Sequence, residues 1–269
     1  MQVPHITLRC LNQEATISLF GGHLLSYTVA QKSLLFLSQK AALDGSRPIR
    51  GGTPVCWPWF GQLHPDISDH GIAHGLVRNQ MWRVDAHIQT EVMSTVTLSP
   101  GNEQHALWPT GLSCQIQFTL TDCLTITLIT TNRHSEHQSF SAALHSYFAV
   151  TDIAHAQITG ITGSYHDHLT QQSGATPQPY HFAGETDRLH ITTAPITQII
   201  QDGIPSHEIE HHGHDSLVVW NPWMDKSAGF VDMAEGEYQR FVCIETATTQ
   251  GHVLAPNQNH RLVQVIRGL

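Results

Sequence analysis

The chain has 269 residues, a formal net charge of −9 and 40% hydrophobic residues, with a mean hydropathy of −0.17; it can bury a sizeable core, is not disordered in character, and its acidic balance argues against nucleic acid or an anionic membrane as a partner. No apolar run approaches the roughly 20 residues that cross a bilayer, and Met1 to Arg9 lacks a basic stretch leading into an apolar one. The five cysteines are odd in number and mostly set in apolar surroundings, which points to reduced thiols rather than a disulfide framework and to a cytoplasmic protein.

Read in chain order, the sequence is dominated by period-two alternation. Short strands are expected at Ile6 to Leu11, Ala15 to Phe20, Leu34 to Leu37 and Met93 to Leu98. Between Gln115 and Leu128, Ile116, Phe118 and Leu120 face one way and Leu124, Ile126 and Leu128 continue the pattern, so Asp122-Cys123 between them predicts a hairpin. Further strands are expected at Ser216 to Trp220, Phe241 to Thr246 and Leu262 to Ile266, and helices only as single turns near Lys40 to Leu43 and Asp225 to Ala228. The polar stretch from Gly163 to Arg188 reads as an ordered excursion, not a linker. With no repeat or linker to mark a boundary, residues 1–269 are expected to form a single all-β domain, a sandwich of many antiparallel strands with few short helices.

Four segments carry residues suited to chemistry. Arg50 to Gly61 places a guanidinium ahead of Gly51-Gly52, Pro54, Pro58 and the aromatics Trp57, Trp59 and Phe60. Such a run serves either as a stiff, flat wall for a sugar ring or as an aromatic core segment entered through a turn. His74-Gly75-Leu76-Val77-Arg78 adds an imidazole and a second guanidinium. His145 sits among small, apolar and aromatic residues from Phe140 to Val150, and Glu245 ends the nearly continuous apolar stretch Phe241 to Ile244. A carboxylate there needs a partner or a job, because glutamate is rarely buried unpaired.

An imidazole and a carboxylate across one pocket can act as general acid and general base on opposite sides of a substrate atom. Anomer interconversion suits them best. One group takes the proton of the anomeric hydroxyl while the other protonates the ring oxygen, the ring opens, the bond beside the anomeric carbon rotates, and closure reverses the roles. A competing cluster, His207, His211, His212 and His214 with Asp215, has spacings compatible with a transition metal. It matches no metal motif, reads as a histidine-rich polar loop, and the two-group reaction needs neither metal nor cofactor.

Taken together and in this order, Arg-Gly-Gly-x-Pro-x-x-x-Pro-x-Phe-Gly at Arg50 to Gly61, His-Gly-x-x-Arg at His74 to Arg78, Leu-His-x-Tyr-Phe at Leu144 to Phe148 and Phe-Val-Cys-Ile-Glu at Phe241 to Glu245 resemble the glucose-6-phosphate 1-epimerases, the hexose-6-phosphate mutarotases of the aldose 1-epimerase superfamily. The resemblance spans most of the chain. It implies a galactose-mutarotase-like β-sandwich, His145 as general acid towards the ring oxygen, Glu245 as general base at the anomeric hydroxyl, and a phosphate clamp of Arg50, His74 and Arg78. A phosphate monoester carries about −1.5 to −2 charge, and guanidinium groups meet its oxygens in bidentate geometry. Asp187 is expected to contact a sugar hydroxyl or to orient His145, Gln62 to reach a hydroxyl, and Trp220-Asn221-Pro222-Trp223 to offer another aromatic wall. Leu76-Val77 and Thr246-Ala247 depart from the family pattern and bear on pocket shape and substrate preference. The expected partner is a small sugar phosphate bound by a monomer. An epimerase of unphosphorylated aldoses and a non-catalytic carbohydrate-binding protein are the alternatives.

Overall fold

A computed structural model describes residues 2–61 and 72–269. Among these residues the chain forms three antiparallel sheets. A four-stranded meander contains His5–Cys10, Gln13–Ser18, His23–Val29 and Lys32–Ser33. A nine-stranded sheet runs from Tyr180–His181 through Ala156–Thr159, Ile196–Gln201, Ile204–His212, Asn259–Gly268, Leu124–Asn132, Leu112–Leu120 and Ser94–Pro100 to Trp82–Gln89. The third sheet orders Gln172–Ala175, Ser164–Asp167, Thr186–Ile191, Ser216–Asn221, Phe241–Leu254, Gln138–Leu144 and Val55–Cys56, and Tyr147–Ala149 also pairs with Phe241–Leu254.

The inward faces of the two large sheets close on one apolar cluster. Ile116, Phe118, Ile126, Leu128, Ile209 and Ile266 of the nine-stranded sheet join Leu217, Val219, Val242 and Ile244 of the other, with Ile17, Leu24 and Tyr27 of the meander. Alternation places them there, since every second side chain of a strand points to the same face. The expected hairpin forms as Leu112–Leu120 and Leu124–Asn132, turning at Thr121-Asp122-Cys123. Gly163 to Arg188 is ordered, contributing strands to both large sheets.

Three local expectations are corrected. Leu34 to Leu37 is not a strand: it makes only single bridges, Leu35 to Phe148 and Leu37 to Gly51, and is apolar because Leu34, Leu35 and Phe36 are buried. Lys40 to Leu43 is not helical, and Ala41 and Leu43 instead pack against Phe20, Leu25 and Ile49. The histidines after Ile204 lie largely on the strand Ile204–His212 rather than in a loop. There His207 and His211 turn inward and are buried, while His212 is exposed. The single α-helical turn near Asp225 is present as Trp223–Ala228. Among the described residues, no helix is long and apolar enough to cross a membrane.

Candidate active site

The face of the eight-stranded sheet turned away from the core forms the floor of a cleft of about 900 Å³. Strand register decides which side chains reach it. Along Phe241–Leu254, Val242 and Ile244 enter the central core, so Cys243, Glu245 and Ala247 point the other way. Val218 lies opposite Glu245, Trp220 opposite Cys243, and Asp187 opposite Trp220. On the other flank the ladder runs from Leu144 opposite Thr246 to Tyr147 opposite Cys243, one register through the gap at His145-Ser146. His145 and Glu245 are therefore a cross-strand pair, the arrangement that brings opposed Cβ atoms to ~4.5–5.5 Å. Their side chains meet, with His145 Nε2 3.3 Å from Glu245 Oε1.

The gap is held from behind. The His145 amide donates to the Pro54 carbonyl at 3.0 Å, and the Ile244 amide to that of Ser146 at 3.2 Å. The Ser146 hydroxyl bonds Thr53 Oγ1 and Gln264 Oε1, and Gln264 Nε2 donates to Thr246 Oγ1, which also meets His211 Nδ1. A fully partnered interior network of this kind fixes the backbone that presents the pair.

Burial governs the pair's protonation. Glu245 is 1% exposed, and burial, reinforced by the charge of Asp187, pushes its carboxyl well above the ordinary value. Burial pushes the His145 imidazole well below its ordinary value, and His74 and Arg78 act in the same direction. Both shifts favour uncharged groups, and together they draw the single proton the pair shares from His145 towards Glu245. Moving it to His145 creates the ion pair without changing the proton count. The His145 ring stacks on Tyr147 at 5.0 Å and meets His74 and Trp220 edge-on at 5.8 and 5.9 Å. Among the described residues, His145 Nδ1 and Glu245 Oε2 have no hydrogen-bond partner.

The two arginines line the same cleft. Arg50 Nε donates to Asp232 Oδ1 at 3.2 Å and Nη1 to Tyr147 Oη at 3.2 Å, with the guanidinium 4.5 Å above the Phe230 ring. Arg78 lies in the 3₁₀ turn Val77–Asn79 and donates from Nη2 to the Ala73 carbonyl at 3.0 Å. His74, with φ 60°, adopts the left-handed conformation, and its Nδ1 accepts from the Gly61 amide at 3.3 Å, leaving the proton on Nε2. Burial, then Arg78, lowers its pKa to about 4. His74 is thus a neutral hydrogen-bonding group, and the positive charge beside it comes from Arg78 and Arg50.

The remaining expectations divide. Asp187 reaches the cleft but pairs with His168, Oδ1 to Nδ1 at 3.0 Å, and not with His145. Gln62 lies outside the described residues. Phe60 lines the cleft, whereas Trp57 is fully buried with its indole N–H on Thr130 Oγ1. Trp220 is a cleft wall. His207 and His211 spend their ring nitrogens on Ser206, the Leu34 carbonyl, Thr197 and Thr246, and among the described residues no group of three or more His, Cys, Asp or Glu is placed to hold a metal. Tyr147, His168 and Asp232 were not assigned from sequence. Tyr147 sits inside a motif, two residues after His145, but Asp232 lies in an aperiodic loop that carries no signal.

The pattern of the family described as Aldose 1-epimerase matches residues 4–267. A Salmonella typhimurium protein named "Putative glucose-6-phosphate 1-epimerase" is 32% identical over 252 residues, covering 91% of this chain and 82% of its own. An Escherichia coli protein of the same name is 32% identical over 240 residues, covering 87% and 79%. Among solved structures, one titled a "putative mutarotase" from Salmonella typhimurium superposes with a TM-score of 0.89 at 28% identity, covering 97% of this chain and 89% of the other.

Proposed function

Because the chain belongs to the aldose 1-epimerase family, we propose that it interconverts the α and β anomers of a hexose 6-phosphate, glucose 6-phosphate foremost. The observation that carries this reading is the buried His145–Glu245 cross-strand pair on the floor of a cleft that also holds Arg50 and Arg78. The two groups stand side by side rather than on opposite sides of the substrate. That suits the reaction, since the ring oxygen and the anomeric hydroxyl oxygen are bonded to the same carbon.

With the shared proton on His145, the Glu245 carboxylate takes the hydroxyl proton while the imidazolium protonates the ring oxygen. The electrons of the O–H bond form the carbonyl as the bond from the anomeric carbon to the ring oxygen breaks. Rotation about the neighbouring carbon–carbon bond presents the other face, and reclosure returns both protons. Each proton transfer accounts for about 10²–10⁴-fold. Substrate binding favours the working ion pair, because the hydroxyl and ring oxygen hydrogen-bond the charged forms that burial alone disfavours.

Arg50 and Arg78 meet the phosphate, and His74 adds a neutral donor through Nε2. The relatives' names and the two guanidinium groups in an acidic chain support the phosphorylated substrate over a free aldose. The five free, buried cysteines fit a reducing compartment, which supports a cytoplasmic location. Exchange NMR between the anomers tests the whole reading. His145→Ala should slow exchange at least a hundredfold, and Arg50→Ala and Arg78→Ala should weaken turnover of glucose 6-phosphate but not of glucose. Equal effects on both sugars would assign the cleft to unphosphorylated aldoses, and unchanged exchange in His145→Ala would remove the mechanism.

A further inference from the structure

The cation assigned to the phosphate is already engaged inside the cleft. A guanidinium grips an oxyanion in bidentate fashion through one of two edges, Nε with Nη2 or Nη1 with Nη2. In this protein Asp232 occupies the Nε end of the first edge and the Tyr147 hydroxyl the Nη1 end of the second. Nε carries a single N–H, so a phosphate that docks on the Nε–Nη2 edge must displace Asp232.

Tyr147 is fixed by stacking on His145 and is 3% exposed. Asp232 belongs to the connection between the helix Trp223–Ala228 and the 3₁₀ turn Glu237–Arg240. This connection approaches Arg50 twice, through the face of Phe230 and the carboxylate of Asp232. Its placement is built in. Met233 packs with Phe36, Tyr147, Phe241 and Cys243. Glu237 accepts from Ser38 Oγ and the Gln39 amide, and the Ser38 amide in turn donates to the Arg50 carbonyl. The acid and the arginine are thus held by one continuous set of contacts, with side chains only 12% and 24% exposed.

Resting on the assignment of Arg50 to the phosphate, we infer that Asp232 sets substrate discrimination: it is the counter-ion that the substrate's phosphate replaces on Arg50, and its charge holds down the cleft's affinity for anions. Replacement exchanges one anion for another at the same cation, so phosphate gains less than it would from an unpaired guanidinium. Release of the phosphorylated product is eased by the same amount, because the carboxylate returns as the phosphate leaves.

Asp232→Asn isolates the charge, since the amide oxygen still accepts from Arg50 Nε. At constant ionic strength, calorimetric titration of inorganic phosphate into wild type, Asp232→Asn and Arg50→Ala reads affinity directly. Anomer exchange on glucose 6-phosphate and on glucose then separates KM from kcat. Removing one unit charge at roughly 6 Å through an effective dielectric near 40 corresponds to about tenfold. Asp232→Asn should therefore bind inorganic phosphate about tenfold more tightly and prefer the phosphorylated sugar about tenfold more strongly, with the change in KM. Unchanged or weaker phosphate binding in Asp232→Asn, while Arg50→Ala loses phosphate selectivity, would overturn the inference and leave Asp232 as a buttress for Arg50. If Arg50→Ala keeps phosphate binding intact, the assignment of Arg50 fails first, and the role of Asp232 with it.

Discussion

Glu245→Gln separates catalysis from stability more cleanly than any other change in this cleft. Glutamine keeps the volume of the side chain and can hydrogen-bond His145 Nε2, which lies 3.3 Å away, but it cannot take a proton. Loss of the general base should lower the exchange rate about 10²–10⁴-fold, or about 2.7–5.4 kcal/mol in barrier height. Stability should move the other way. The folded carboxyl titrates well above its ordinary value because it is buried, so the folded chain retains a proton that the unfolded chain releases. The stability associated with that proton is fully present below the unfolded carboxyl pKa and is lost as pH rises towards the raised folded value. An amide carries no such penalty. The variant should therefore be more stable than wild type by about 1–2 kcal/mol at neutral pH, with the advantage vanishing near the ordinary carboxyl pKa. Exchange NMR on glucose 6-phosphate reads the first effect, and thermal melts at acidic and neutral pH the second. An exchange rate within threefold of wild type would refute the catalytic assignment. Lost activity accompanied by lost stability at neutral pH would mean that Glu245 supports the fold and not the reaction.

Two further outcomes follow from the same geometry. With one proton shared between the proposed pair, kcat/KM, which reports the free enzyme, should be bell-shaped in pH, its acid limb below the usual imidazole value and its alkaline limb well above the usual carboxyl value; an acid limb at or above the usual imidazole value would show His145 titrating as an exposed ring. Gly75, with φ +78° and a Cβ position only 1.9 Å from the Trp57 carbonyl oxygen, should not accept alanine. Gly75→Ala should lose about 3 kcal/mol or more in urea unfolding, and a loss below about 1 kcal/mol would show that the His74 segment can move away from Trp57.

What could be read from the sequence, and what could not, follows from where the signals come from. The alternation in Leu112–Leu120 and Leu124–Asn132 is dictated by one buried face, so it survives into the structure, interrupted only at Thr127, which is buried as well. Glu245 was legible as a polar interruption in an apolar strand. The apolar run Leu34 to Leu37 misled because burial was mistaken for pairing: Leu34, Leu35 and Phe36 are buried between bridges that never extend into a ladder. The lowered pKa of His74 was likewise not legible, since the desolvation that causes it depends on packing that one chain segment does not reveal. Asp232 and His168 were invisible for a related reason. They meet Arg50 and Asp187 across 182 and 19 residues of chain, and no local pattern marks a loop carboxylate or a surface histidine as a cleft residue.

The register that opposes His145 to Glu245 has a consequence for substitution. The distance between acid and base is held by the main-chain ladder on either side of His145-Ser146 and by the buried Ser146, Gln264 and Thr246 side chains behind it. Arg50, Arg78 and Asp232 instead stand outside the strands. The two sets meet at Tyr147, which stacks on His145 and accepts from Arg50. Substitutions in the segments around residues 50, 78 and 232 can therefore change the charge of the cleft while the register that opposes His145 to Glu245 stays in place.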